Sequence, residues 1–428
     1  MEPVRSIPVC MNMDRYSFWT LARNAVSGHR KLRPAWRRHQ PKSKYDVLIV
    51  GAGGHGLATA YYLASRFGGR NIAVLERGWV GGGNVARNTV TVRSNYLRDE
   101  SIPFFARSVR MFGELSRELN YNLMHSRRTM IDIVQTSPKL RELKRRMKIM
   151  DMHGSSYEEI SVSEVRRRIP ALTGAREGSR LPIIAGMVHK DAAVNRHDAV
   201  AWAYARAADS LGVEIHQNTE VTSLVVDSSG RISGVETKFG TISARKVALA
   251  VSGHTFMLAR TAGLGLPLRT FNLTAFVSEP IKPVVDVVVN CPDLGCYFSQ
   301  TARGELIIGG HPDPGLSYRR DIKQNVFEDT VSGLLELFPS FGRLKLLRQW
   351  GGHLDIAPDG SPIIDRTSVG GLFVTAGWWG GYKAIPAGGL CLAKLIATGE
   401  HHRLASSFTL ARFDRLDYIM EAGTTTVV

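Results

Sequence analysis

Two short apolar blocks frame the first informative stretch of the chain. In YDVLIVGAGGHGLATAYYLASRFGGRNIAVLERG, beginning at Tyr45, Val47 to Val50 run without a polar break. A block that short suits a strand covered on both faces, as in a parallel sheet flanked by helices. Leu57 to Leu63 then continue at helical spacing, and Asn71 to Leu75 form a second buried strand ending in Glu76. Farther on, residues 197–227 read as a helix, a glycine stop and a strand. Residues 230–253 read as a hairpin leading into another buried strand. Strands alternating with helices predict an α/β fold. No window reaches the ~18 unbroken apolar residues of a membrane span.

Between the first strand and helix lies G-x-G-x-x-G, formed by Gly51, Gly53 and Gly56, with Gly54 and His55 completing the turn. Gly51 allows the sharp turn, Gly53 lets backbone approach a pyrophosphate, and Gly56 permits close packing of helix on strand. The helix start offers amide donors and the positive end of its dipole. Glu76, twenty residues beyond Gly56, can accept from an adenosine ribose. Strand, helix and acid at these spacings together predict dinucleotide binding.

The turn alone leaves NAD and FAD open. GWVGGGNVARNTVTVRSNY (78–96) is a glycine-rich loop running into polar residues, not another βαβ repeat, and the chain has no second G-x-G-x-x-G. A nicotinamide domain of its own is therefore not expected. The arrangement resembles the glutathione-reductase-type FAD fold, in which a late strand returns to the dinucleotide sheet and Val221 lies against the adenine. The expected architecture is an FAD-binding Rossmann-like domain interleaved with an antiparallel-sheet substrate domain. The expected division is a basic arm at 1–44, an FAD domain at 45–130, 190–260 and 350–415, and a substrate domain at 131–189 and 261–349.

Composition adjusts this picture in two places. The net charge is +17, and residues 1–44 supply +8 of it, with ten Lys/Arg against Glu2 and Asp14. The surplus raises nucleic acid as a partner, but no aromatic-interleaved basic motif or recognition helix accompanies it, so no nucleic acid is expected. An arm that docks on an acidic partner chain is favoured over a targeting sequence, and Met13 offers an alternative start. Cys10, Cys291, Cys296 and Cys391 are too few and scattered for a disulfide framework. CPDLGC lacks the second pair a zinc site needs, so no metal is expected. Reduced thiols in the cytoplasm are the expectation.

Several stretches carry a more specific resemblance. RYSFW (15–19), VGAGGHGLATAYYLA (50–64), GWVGGGNVARNT (78–89), RSNYLRDES (93–101), RHDAVAWAYAR (196–206), FVSEP (276–280), RQWGGHLDIAPDGSPII (348–364) and GWWGGYKAIPAGG (377–389) recur in order. They resemble the β-subunit family of heterotetrameric sarcosine oxidase, in the amine-oxidising flavoprotein group that includes glycine oxidase and D-amino-acid oxidase. The resemblance spans about residues 13 to 415 and takes in the basic arm. It implies non-covalent FAD in the dinucleotide site and FMN joined through its 8α carbon to His197. It also implies α, γ and δ partner subunits. The residues alone make His197 an ordinary helix-start residue, capped by Asn195 or Asp198. The resemblance turns it into a flavin attachment point, with Arg196 beside it available to the FMN phosphate and Arg348 a further FMN-side candidate.

The same resemblance places Arg93 and Lys383 on the substrate carboxylate, Arg93 as a bidentate partner. It makes Asn84, Val85, Thr89 and Thr91 the loop over the pyrophosphate and ring, with Gly381, Tyr382 and Lys383 beside the flavin. Arg93 and Lys383 also have the bland reading of ordinary surface charges. The implied reaction is oxidative demethylation of sarcosine to glycine and formaldehyde, or methylene transfer to tetrahydrofolate on a partner. Electrons pass from FAD to FMN to oxygen, giving hydrogen peroxide. The alternative enzyme is a dehydrogenase for dimethylglycine, another N-methyl amino acid or an opine, with a different acceptor. A flavin-binding assembly subunit is the non-enzymatic alternative. Two features depart from the family: Phe271 stands where members carry a histidine before V-S-E-P, and GGHPDPG (309–315) differs in form. No cysteine lies near HLDIAPDG, which fits non-covalent FAD.

Overall fold

The computed structural model describes residues 18–28, 30 and 34–421. Cys10, Met13 and most of the arm's first half lie outside the described residues. The later arm lies on the chain itself: Arg37 Nε bonds Asp209 at 3.1 Å and Lys42 Nζ lies 2.5 Å from Glu214.

Two sheets organise the molecule. The first has eight strands, with the path 363–366, 372–376, 240–249, 44–50, 72–75 and 214–216. Along this path the pairs from 372–376 to 214–216 are parallel, and 363–366 joins antiparallel. A hairpin of Val221–Val226 and Ile232–Thr237 extends Gly240–Leu249. Lys44–Val50 and Ile72–Leu75 are the two expected buried strands, apolar because both faces are covered, one by helices and the other by the 221–237 hairpin and its neighbours. The helices Gly54–Phe67, His197–Ser210 and Ile385–Thr398 pack together. They come close because small residues meet: a Cβ at Gly389 would lie 2.4 Å from that of Ala58.

The second sheet has nine strands, ordered 346–356, 269–280, 305–316, 296–300, 288–291, 126–134, 185–194 and 91–92, with 157–160 on 185–194. It is mixed rather than wholly antiparallel. Val288–Cys291 runs parallel to Ser126–Val134, because this pair joins two antiparallel groups contributed by separate stretches of chain. The borders expected at 130/131, 189/190 and 349/350 fall inside strands of this sheet. A strand's sheet partners do not show in local composition.

Between the sheets runs a cavity of about 830 Å³. Its floor includes Val50, Leu75, Ala250 and Val251 at the carboxyl ends of parallel strands, where open α/β sheets take their ligands. Its roof includes Met130, Asp132, Val288, Asn290 and Tyr297 of the second sheet. Among the described residues no helix is long and apolar enough to cross a membrane.

Candidate FAD and substrate site

The glycine turn shows why each glycine is there. Gly51 has φ +103, and a Cβ on it would lie 2.5 Å from the Ala250 carbonyl oxygen. A Cβ on Gly56 would lie 2.0 Å from the Gly51 carbonyl oxygen. A Cβ on Gly53 would meet nothing within 4 Å, and Gly53 is on the cavity wall. Gly56 is not on that wall; it lets the helix sit tightly on the turn. The helix starts at Gly54 behind Gly53 with no side-chain cap, which leaves first-turn amides for an anion. Glu76 accepts from the amides of Ala52 at 2.9 Å and Gly78 at 2.8 Å. A carboxylate has about four acceptor sites, so Glu76 retains capacity for ribose hydroxyls.

The 78–92 loop is pinned across the cavity. Asn84 Nδ2 donates to Ser252 Oγ at 2.8 Å and to the His353 carbonyl, while its Oδ1 accepts from the His353 amide at 3.1 Å. Thr89 bonds the Tyr297 hydroxyl at 3.2 Å. At this end Arg77, Arg87 and Arg320 line the cavity with His254 and His353. Burial and then Arg77 lower the Arg87 pKa, and burial, Arg87 and Arg77 lower that of Arg320. His254 is pushed down to about 4 by burial, helped by Arg77 and His353. Cations that depress one another this way suit a diphosphate.

Between the two ends, His55 ties the glycine turn to the 377–384 loop. It stacks on Trp378 with ring centroids 4.3 Å apart, and its Nε2 bonds the Gly381 carbonyl at 2.9 Å. Burial pushes its pKa down to about 4, so the ring is neutral. Gly377 at φ +72 and Gly380 at φ +81 shape that loop. Among the described residues the buried Nδ1 of His55 and the Tyr382 hydroxyl have no hydrogen-bond partner, and both side chains are on the cavity wall.

At the opposite end sit two buried cations. Arg93 is 9% exposed and Lys383 7%. Arg93 Nη1 donates to Asn95 Oδ1 at 2.7 Å, and its guanidinium lies 5.3 Å from the Tyr96 ring centre. Lys383 Nζ lies 5.8 Å from the same ring and donates to the Gly380 carbonyl at 3.3 Å. Burial, then the charge of Arg93, holds the Lys383 pKa well below its usual value. Two basic groups beside one aromatic ring, both open to the cavity, suit an anion.

The cavity therefore brings together Gly51, Gly53, Gly54, His55, Glu76, Asn84, Val85, Thr89, Thr91, Arg93, Val221, Gly381, Tyr382 and Lys383. His197 and Arg348 lie off it. His197 opens its helix, with Arg196 at the cap position and no side-chain cap bond. The expected cap by Asn195 or Asp198 is not formed: Asp198 binds Arg196 at 2.7 Å and the adjacent Ala199 amide, and Asn195 bonds His125. Arg348 is exposed on the strand Leu346–Ile356, opposite Val277. Phe271 is opposite Leu354 on the neighbouring strand. Sequence reasoning missed Arg320, His254 and His353 at the nucleotide end, and Asp132, Asn290, Tyr297 and His311 at the other. The one signal was Asp132, a charge inside the apolar run MIDIV.

The glycine cradle, the helix start, the held acid, the cationic diphosphate end and the unpartnered polar atoms all fit FAD. The comparisons agree. Residues 46–395 match the family model described as FAD dependent oxidoreductase (DAO). Sarcosine oxidase subunit beta of Rhodobacter capsulatus is 43% identical over 411 residues, covering 96% of this chain and 98% of that protein. The protein of the same name from Rhizobium meliloti is 43% identical over 410 residues, with the same coverage. Among solved structures, L-proline dehydrogenase from P. horikoshii superposes with a TM-score of 0.80 at 23% identity, covering 88% of this chain and 99% of that one. That last likeness speaks for the fold alone. The chain belongs to the FAD-dependent oxidoreductase family and, within it, to the group of sarcosine oxidase β subunits.

Proposed function

We propose that this chain is the amine-oxidising, FAD-carrying subunit of a sarcosine oxidase. The substrate class is an N-methyl amino acid, with sarcosine the leading member. The observation that carries this reading is the pair Arg93 and Lys383, both buried near the Tyr96 ring and open to the FAD cavity. Arg93 supplies a fixed planar fork for the substrate carboxylate. Burial and then Arg93 lower the Lys383 pKa, and a carboxylate arriving beside it favours its charged form, so the anion strengthens its own second cation. Met130, Leu143, Val288 and Trp378 give the cavity apolar walls that strengthen this electrostatic hold. The bound flavin supplies the acceptor for a hydride from the C–H beside the amine nitrogen. With water and oxygen the products are glycine, formaldehyde and hydrogen peroxide. A coupled assay for formaldehyde and peroxide over a panel of N-methyl amines tests the reading. Turnover of sarcosine is expected, and turnover confined to amines without a carboxylate would overturn it.

A second flavin and partner chains belong to the same proposal. His197 is half-buried outside the cavity. Burial lowers its pKa, with Arg196 and Arg303 acting in the same direction and Asp198 opposing them. A neutral imidazole is the form that makes an 8α link to FMN, with Arg196 and Arg348 as the cations on that side. Such a group would supply a second electron carrier between this cavity and oxygen. Exposed Phe18, Trp19, Leu21 and Val26 on one helix, and Leu346 and Leu347 beside Arg348, offer surfaces for the α, γ and δ chains. A reducing, cytoplasmic setting fits the buried free thiols of Cys291, Cys296 and Cys391. For the assembled enzyme, acid precipitation is expected to retain part of the flavin colour, and His197→Ala to release it. Complete release from the unaltered enzyme would exclude the covalent link.

A further inference from the structure

At the amine end of the cavity one carboxylate has no cation of its own. Asp132 lies on the strand Ser126–Val134, is 1% exposed, and lines the cavity together with Met130. The Tyr157 hydroxyl donates to its Oδ2 at 2.5 Å, and Asn290 Nδ2 donates to its Oδ1. Both donors are neutral. Asp132 pairs with no Lys, Arg or His among the described residues, although Arg93 and Arg146 lie in the same region. The other acids on the wall are engaged or distant. Glu76 holds two backbone amides, Asp355 takes Ser252 Oγ and the Gly377 amide, and Glu220 adjoins Val221 at the nucleotide end.

A buried carboxylate bonded only by neutral donors gains when a cation comes within bonding distance of it. Two of its roughly four acceptor positions are taken. Asp132 and Arg93 both act on Tyr157 and on His189, so acid and guanidinium occupy one neighbourhood. That neighbourhood therefore offers a fixed positive group, a fixed negative group and an apolar wall. An amino acid near neutral pH presents the matching pair, a carboxylate and an ammonium on one carbon.

We propose that Asp132 anchors the substrate ammonium, accepting a charge-assisted N–H···O bond while Arg93 and Lys383 take the carboxylate, and then takes one proton from it, since a nitrogen without a lone pair cannot support loss of hydride from the neighbouring C–H. The inference rests on the amino-acid reading above and deepens it: the site selects zwitterions over carboxylates that lack a cation. A purely structural Asp132, tying three strands together through Tyr157 and Asn290, would be indifferent to charge on the ligand.

The test uses two ligands of nearly equal shape that cannot be oxidised, 2-aminoisobutyrate and trimethylacetate, which differ by an ammonium in place of a methyl. The assembled, flavin-loaded enzyme is titrated with each, reading the visible flavin spectrum. The unaltered enzyme is expected to prefer the amino acid by about tenfold or more, the ratio set by one charge-assisted bond. In Asp132→Asn the amino acid weakens by about tenfold while trimethylacetate stays within about threefold. Equal affinities in the unaltered enzyme overturn the inference without any variant, so it stays testable if Asp132→Asn fails to fold. Parallel weakening of both ligands, or no change in either, overturns it too. Anaerobic reduction of the unaltered enzyme by sarcosine is run alongside. Failure there counts against the proposed function, whereas reduction without ligand preference counts against Asp132 alone.

Discussion

The nucleotide end and the amine end of the cavity are made of different material. At the nucleotide end the turn between Val50 and Glu76 offers backbone, held by glycines whose missing Cβ atoms create the space, while Arg77, Arg87, Arg320, His254 and His353 add polar side chains around it. At the amine end the groups are side chains carried by separate segments: Arg93, Asp132, Asn290, Tyr297 and Lys383. A backbone site cannot change without disturbing the turn that makes it. A side-chain site can be re-equipped for another substrate while the flavin stays in place. That difference sets where mutations should separate flavin loss from substrate loss.

The largest effect is expected at the turn. Gly56→Val places atoms against the Gly51 carbonyl, where even a Cβ would sit 2.0 Å away. The protein should lose flavin and about 3 kcal/mol or more of stability, read by thermal denaturation and flavin content. Gly53→Ala sharpens the contrast, since its Cβ meets no protein atom: the melting temperature of the flavin-free protein should hold while flavin content falls. Next comes Arg93→Met, which removes the proposed partner of the substrate carboxylate. Steady-state kinetics should show kcat/KM reduced about 10²- to 10³-fold, about 3–4 kcal/mol, with the flavin spectrum retained. Equal flavin loss in Gly53→Ala and Arg93→Met would break the distinction between the two ends.

A smaller effect concerns Lys383 and pH. Its folded pKa is depressed by burial and by Arg93, so the unfolded chain binds more protons between that value and the ordinary lysine pKa. Stability of the flavin-free protein should therefore rise with pH across this window. Lys383→Met should stabilise the protein near neutral pH, with an advantage that shrinks as pH climbs toward about 10.4. Denaturant titrations at several pH values check this. His55 gives the smallest signal. With a folded pKa of about 4, it withdraws stability as pH falls below about 6.5, and His55→Gln should flatten that decline.

Legibility in the sequence follows the same division. Val47–Val50, the three glycines and Glu76 fall within one short contiguous stretch, so spacing alone foretold the strand, turn, helix and acid. Arg93 and Lys383 are nearly three hundred residues apart and came to notice only through resemblance. Local pattern does not reveal that they share the Tyr96 ring. Asp132 and Asn290 meet because two strands from distant segments pair in parallel, a pairing invisible to periodicity. The helix start at Arg196 shows the opposite failure. Two good capping residues flank it, yet each is engaged by another partner, His125 for Asn195 and Arg196 for Asp198. Tertiary and ionic competitors outbid local propensity there.

The central claim is that FAD seated over Gly51–Gly56 takes electrons from an N-methyl amino acid held by Arg93 and Lys383. Mixing the flavin-loaded enzyme with sarcosine in the absence of oxygen tests it most directly. The account predicts bleaching of the oxidised FAD absorbance that saturates with sarcosine concentration in the unaltered enzyme and is slowed at least about a hundredfold at low sarcosine in Arg93→Met. An oxidised spectrum that persists with sarcosine and every other N-methyl amino acid would contradict it.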